Sequence, residues 1–324
     1  MLHSPYRKDW YVATSIAKGF IGMDIGCRIP TISDFAEVFD CSRGVVQNAL
    51  NYLEEQHAVV LDKQGKNGTF LISKNEEELF SYSGLSHLTA SMPPPINMHF
   101  AGLATGICSG MSRCRVPFTF AFVQGSNNRI SALLNGAYDF VVTTKYSADS
   151  FAAEYPELEI AFPFEDCEYS PAYRLYINRP GCSGIEDGMT IAVDPTSSDH
   201  VAISRKLIAG KNVTIKEMPL ISGVHAFYTG EIDCIVFRYE LRNQSADLSD
   251  NLVNFILKHE RSISPSQIST VPIEEASRDM QQPVAMVLKS NYGMDGILKR
   301  YLAGNGVGQV QKQVLSGLMV PQFY

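Results

Sequence analysis

Two segments of this chain repeat one another. Residues 130–142 and 224–236 each run through an apolar, helix-compatible stretch, a glycine (Gly136, Gly230), an aspartate three residues later (Asp139, Asp233) and a strand of buried type. A helix that feeds through a glycine turn into an apolar strand is the returning half of a βαβ unit, and its occurrence twice predicts two similar lobes rather than one long sheet. Further short β-rich runs at 96–101, 116–123, 139–144, 190–193, 213–217 and 233–237 alternate with helix candidates at 129–134, 200–208 and 223–228. The length of 324 residues is about two domains' worth, so room remains for a separate unit ahead of the lobes.

That unit is read in residues 1–75. Trp10, Ala13, Ile16, Ala17 and Phe20 fall at helical spacing, and Ser33 is placed to cap a short helix carrying Phe35, Ala36 and Phe39. A tight turn then leads to Ser42, which is placed to cap a second helix with Val46, Ala49, Leu50 and Leu53 on its inner stripe. Strand candidates at 58–61 and 69–72 flank a basic, glycine-rich tip, 62–68. Three helices plus a two-stranded wing make a compact reader of double-stranded DNA: a capped helix for the major groove, and a basic loop for phosphate or minor groove. On that reading the DNA-contacting candidates are Ser42, Arg43 and Gln47 on the helix and Lys66 on the wing.

Residues 28–36, 41–54 and 65–70 resemble the GntR-type winged helix-turn-helix of bacterial repressors. The resemblance implies DNA-contacting roles for Arg28, which matches the arginine ahead of the family's Leu-Pro, for Arg43, which opens the recognition helix, and for the wing glycine Gly68. Gly44, Val45 and Gln47 depart from the family's threonines and second arginine. The alternating second part resembles the type-2 periplasmic-binding-protein fold, also used as the effector domain of LysR-type regulators. Taken together, the chain is similar to the YhfZ family, which the resemblance places among DNA-binding transcriptional regulators.

The expected fold is therefore multi-domain. It has a winged helix-turn-helix domain at 1–75, a linker at 76–95 marked by three glutamates and three prolines, and a two-lobed α/β effector-binding domain at 96–324. Lobe 1 is expected at about 96–165 plus 284–303 and lobe 2 at about 180–238. The apolar tail, 307–324, is expected either to pack back on the domain or to join an interface.

A cleft between two such lobes is lined by strand ends and helix N-termini, whose unpaired amides favour a small polar or anionic effector. The candidate effector residues are Ser126 and Asn127 after one strand, Thr143 and Thr144 after the next, and Thr196, Ser197 and Ser198 after 190–193. Arg238, with Tyr239 beside it, follows 233–237. The aromatic and acidic stretch 162–173 is read as hinge packing.

Other function classes are disfavoured. Residues 1–75 carry 8 Lys and Arg against 8 Asp and Glu, so the net charge of -7 belongs to the remainder and a DNA-binding role rests with the neutral N-terminal part. Seven scattered cysteines without a CxxC pair argue against a disulfide framework or a thiolate zinc site, and no metal or other cofactor is expected. No HExxH, GxSxG or Walker-type loop is present, so no catalytic residue is assigned and the protein is not expected to be an enzyme. The absence of a charged, apolar leader and of long apolar runs predicts a cytoplasmic protein with no membrane partner. A neutral winged helix binds weakly alone, so a homodimer on a palindromic operator is expected. Two alternatives are an interaction or dimerisation module in place of the DNA reader, and a small-molecule-processing enzyme on the binding-protein fold.

Overall fold

The computed structural model describes residues 5–238, 263, 265–273 and 278–323. It opens with α1 (Pro5–Gly22), α2 (Ile32–Val38) and α3 (Arg43–Glu55), followed by the antiparallel hairpin of β1 (Val59–Lys63) and β2 (Thr69–Lys74). The cap of α2 differs from expectation. Thr31, not Ser33, closes it: its hydroxyl accepts from Asp34 N at 3.2 Å while the Asp34 carboxylate accepts from Thr31 N at 2.8 Å. The reciprocal pair satisfies two amides, which a hydroxyl inside the first turn does not do.

Residues 76–95, expected as a linker, are structured. They hold α4 (Glu76–Tyr82), capped by Asn75, and β3 (Leu88–Met92), which lies between two other strands of the first lobe. The run expected as a strand at 96–101 instead opens helix α5 (Met98–Met111). The Asn97 side chain accepts from Phe100 N at 2.6 Å and sets the helical turn.

The first lobe continues through β4 (Phe118–Phe122), α6 (Ser126–Leu134), β5 (Phe140–Thr144), α7 (Lys145–Glu154) and β6 (Leu158–Pro163). The second lobe contains β7 (Arg174–Ile177), β8 (Thr190–Val193), α8 (Ser198–Ile208), β9 (Thr214–Glu217), α9 (Leu220–Thr229), β10 (Cys234–Phe237) and β11 (Ser269–Pro272). The chain returns to lobe 1 with β12 (Pro283–Leu288), α10 (Met294–Leu302) and α11 (Val307–Leu315). Lobe 1 therefore begins before residue 96 and lobe 2 before residue 180.

The two sheets share one plan. Lobe 1 runs β4-β3-β5-β12-β6 and lobe 2 runs β9-β8-β10-β7-β11. In each, three parallel strands are followed by one strand antiparallel to them and then by an edge strand antiparallel to that one. The sequence echo has a structural cause within this plan. Asp139 accepts from Thr89 N at 2.8 Å and Asp233 from Thr190 N at 2.7 Å, so each aspartate ties the start of its strand to the strand beside it.

The winged helix is not a separate bead. Its Ile16, Phe20 and Leu53 share one buried cluster with Leu103 and Ile297 of lobe 1. Helix α1 meets α10 and the turn before it through glycines: a Cβ on Gly22 would stand 2.3 Å from the backbone of Gly296, and one on Gly293 2.6 Å from Gly19 N. Lys74 donates to the carbonyls of Phe20 (3.1 Å) and Ile21 (2.9 Å), and Arg300 of α10 donates to Ile21 O (3.0 Å). Two cations from different units thus close the C-terminal end of α1, where the helix dipole favours positive charge. Burial holds the Lys74 ammonium down at about 8.

The tail packs back on lobe 1. Helix α11 lies on α5 over Gly102 and Gly106, Gln322 N donates to Thr105 Oγ1 at 2.9 Å, and Phe323 meets the Phe122 ring edge-on.

Candidate functional site

The DNA-facing candidates lie on one small domain. Ser42 Oγ accepts from Val45 N at 3.4 Å, so it caps α3 as its position predicts. Arg43, in the first turn, is exposed. Gln47 is half-buried and donates to Asn51 Oδ1 at 2.9 Å, one turn along the same helix. Arg28 and Gly68 come together on the wing. Residues 26–29 run beside β2, Ile29 N donates to Thr69 O at 2.9 Å, and a Cβ on Gly68 would stand 2.3 Å from Arg28 Nε. With φ of +96° and the guanidinium across it, position 68 admits only glycine without strain. Lys66 is exposed at the wing tip, whereas Lys63 pairs with Glu54 at 2.8 Å.

Between the lobes lies a small cleft of about 70 Å³. Among the effector candidates, Ser126, Thr143, Thr144, Ser197 and Arg238 line it. Asn127, Thr196 and Ser198 do not; they join one lobe to the other. Asn127 N donates to Thr196 O at 3.0 Å, its side chain donates to Pro195 O at 3.1 Å, and Ser198 N donates to Ser126 Oγ at 3.1 Å. Gly125, at φ +84°, lets Thr196 approach, since a Cβ there would overlap its hydroxyl. Tyr239 lies outside the described residues.

Arg238 lines the cleft as its position predicts, but it already has a counter-charge. Its Nη2 donates to Asp199 Oδ2 at 2.7 Å and to the Tyr173 hydroxyl at 2.7 Å. Nη1 donates to Met280 O at 3.0 Å and to Ser170, and the guanidinium lies over the Tyr173 ring at 3.8 Å. Asp199 Oδ1 in turn accepts from Thr144 Oγ1 at 2.9 Å and Ser147 Oγ at 2.7 Å. A carboxylate on α8 of lobe 2 is therefore held by hydroxyls at the start of α7 in lobe 1. The lobes are closed on it.

Among the described residues the uncompensated cation of the cleft is Arg129, which sequence reasoning missed. It is 3 % exposed and its hydrogen-bond acceptors are all neutral: Val123 O at 2.8 Å, Gly125 O at 3.0 Å and the Tyr169 hydroxyl at 3.1 Å. Its Nε–H is buried with no acceptor among the described residues. Guanidinium stays charged at any ordinary pH, and leaving such a group buried without a counter-charge is costly. Asp199 is matched by Arg238, and the tyrosines and the histidine around Arg129 are neutral. Burial pushes the phenols of Tyr169 and Tyr173 up. His200 accepts from Asp194 N at its Nδ1 and donates through Nε2 to Val236 O, an arrangement only the uncharged ring allows. Burial accordingly lowers its pKa. The helix starts of α6, α7 and α8 all meet at this cleft and add partial positive charge. The arrangement suits an anion.

The signals for the missed residues were weak. Arg129 opens the helix candidate at 129–134, Asp199 directly follows the candidates Ser197 and Ser198, and Tyr169 and Tyr173 fall in the stretch assigned to hinge packing. Among the described residues no group of three His, Cys, Asp or Glu gathers to hold a metal, and no helix is long and apolar enough to cross a membrane.

Comparison with known proteins agrees with this architecture. Residues 24–71 match the model of a helix-turn-helix domain, and residues 75–323 match that of the YhfZ C-terminal domain. YhfZ of Escherichia coli (strain K12) is 22% identical over 319 residues, covering 98% of both chains. The crystal structure of YhfZ from Shigella flexneri superposes with a TM-score of 0.58 at 20% identity, covering 76% of this chain and 97% of that one. The periplasmic domain of Bordetella pertussis BvgS superposes with a TM-score of 0.51 at 10% identity, covering 91% of this chain and 51% of that one, a likeness of fold. With a helix-turn-helix region ahead of a two-lobed domain of binding-protein type, and three-quarters of its length matched by the family's own domain, the chain belongs to the YhfZ family.

Proposed function

We propose that this protein is a sequence-specific DNA-binding transcriptional regulator controlled by a small anion held between its lobes. The observation that carries the reading is the shared core of the winged helix and lobe 1, through α1 and α10. A regulator needs its sensing and reading units joined by an element that moves as one body, and this contact supplies it. Arg28, Arg43 and Lys66 offer exposed positive charge to the phosphates, and Arg129 offers the cleft's unpaired cation. A homodimer acting on a palindromic site offsets the weak affinity of one neutral winged helix, and a DNA-reading role sets the protein in the cytoplasm.

The test is fluorescence anisotropy of the full chain with DNA selected from a random pool, over a salt series, with and without candidate anions. A palindromic motif whose affinity falls with salt and shifts with anion is the expected result. Selection without any effect of anion removes the switching half of the proposal.

A second reading is favoured by one observation. Gln47 is engaged with Asn51 and Lys63 with Glu54, which thins the polar surface available to DNA and suits a protein-interaction or dimerisation module. Arg43→Ala separates the two, since a module that does not read DNA loses nothing on DNA.

A further inference from the structure

We propose that the cleft receives a short-chain monocarboxylate with its carboxylate seated on Arg129, and that Asp199 makes the site select one negative charge over two. The inference rests on the anionic-effector reading above and goes beyond it by naming the ligand class and the residue that sets its charge.

The argument begins with pairing. Two guanidinium groups line the cleft, and both are buried. Arg238 is already matched by Asp199 at 2.7 Å, whereas Arg129 has only neutral acceptors and a buried Nε–H with none. The other nearby carboxylate, Asp194, lies behind the cleft. It accepts from Thr196 N at 2.9 Å, from the Thr196 hydroxyl at 2.6 Å and from Leu220 N at 3.1 Å, so it is committed to the turn and to the start of α9. Among the described residues one cation is left for one anion.

Size and wall chemistry narrow the class. The cleft between the closed lobes is small, about 70 Å³, which suits a compact ligand. Beyond the polar groups, the walls are Pro93, Ile96 and Phe100 from lobe 1 and Leu220 and Phe237 from lobe 2. A bare oxyanion leaves those walls without contact, whereas a methyl or ethyl group fills space against them. A second carboxylate in the cleft meets Asp199 in its lining, and like charges repel.

The test is isothermal titration of the full-length protein with sodium salts at equal ionic strength. Acetate and propionate probe the proposed class, nitrate probes a bare monoanion, and oxalate and sulfate probe dianions. The expected order is propionate or acetate first, nitrate weaker, and dianions at least about tenfold weaker than acetate, the scale of a lost hydrogen bond to a charged group. Arg129→Gln is expected to remove acetate binding, and Asp199→Asn, which frees Arg238, to reverse the order in favour of oxalate and sulfate. If Arg129→Gln does not fold, the wild-type and Asp199→Asn series still decide. Equal affinity for mono- and dianions in the wild type overturns this proposal alone and leaves an anion-binding cleft. Nitrate above acetate overturns the carboxylate assignment, and absence of binding by every anion overturns the anionic-effector reading together with it.

Discussion

Asp199 and Arg238 form a buried ion pair whose carboxylate also accepts hydrogen bonds from Thr144 and Ser147 on the opposite lobe. The pair therefore does more than neutralise a lobe 2 arginine; it latches lobe 2 to lobe 1. Removing the negative charge leaves Arg238 buried beside tyrosines and a carbonyl, and breaking a buried pair in this way costs about 3–5 kcal/mol. Asp199→Asn is expected to lower the unfolding free energy by that amount in anion-free buffer, and sulfate is expected to restore part of it. Denaturant titration with and without sulfate measures both effects.

The α1–α10 contact gives a directional prediction. A methyl group at Gly22 would stand 2.3 to 2.7 Å from three backbone atoms of Gly296, whereas one at Gly296 meets Gly22 no nearer than 3.3 Å. Backbone cannot swing aside as a side chain does, so Gly22→Ala is expected to cost about 1–3 kcal/mol and Gly296→Ala clearly less. If the contact also carries the signal between cleft and DNA, Gly22→Ala weakens the effect of anion on DNA affinity while leaving anion affinity unchanged. Anisotropy and calorimetry on the same preparation separate the two.

On the DNA face, Arg43 and Lys66 have different expected roles. Arg43 opens the capped helix and is placed for a base edge, so Arg43→Ala is expected to lose about 1–3 kcal/mol of discrimination between the selected site and a scrambled one. Lys66 sits on the wing tip, where a phosphate contact gives affinity without sequence preference. Lys66→Ala should lower affinity for both DNAs alike and reduce the salt slope by about one. Lys63→Ala should matter little, because its charge is already paired with Glu54.

What the sequence made legible was chemistry that acts over a few residues. The helix, glycine, aspartate and strand at 130–142 and 224–236 could be read because each aspartate fastens its own strand start to the neighbouring strand. Ser42 could be read as a cap because the cap bond spans three residues. Strand β3 escaped because Leu88 to Met92 mixes small and polar residues, and only burial between β4 and β5 makes it a strand. The start of α5 was misread because Ile96 and Phe100 suit either structure, and the Asn97 cap and the packing of α11 on Gly102 and Gly106 decide it. Arg129 was out of reach for a different reason. Its burial depends on Val123, Gly125 and Tyr169 converging from separate elements, and no local pattern announces that.

His200 yields the last prediction, which concerns pH. Its folded-state pKa is depressed from 6.5, chiefly by burial, against a raising influence from Val236 O and from Asp194, with Arg238 lowering it and Asp199 raising it. Between that lowered value and 6.5 the unfolded chain binds a proton that the folded chain does not, so stability is present above 6.5 and falls as pH drops below it. Protonation would also turn Nδ1 into a donor facing the Asp194 N–H, which now donates to it at 3.0 Å, and so break the link between the end of β8 and the start of α8. Melting temperatures of the wild type are therefore expected to decline from about pH 6.5 downward. In His200→Gln, which has no group titrating there, the starting stability is lower and the decline is shallower. His99 is the control. Burial lowers its pKa as well, but Glu168 at 3.4 Å opposes the shift, so His99→Gln should leave most of the decline in place. An equal flattening in both variants would assign the acid sensitivity to histidine burial in general rather than to His200 in the cleft wall.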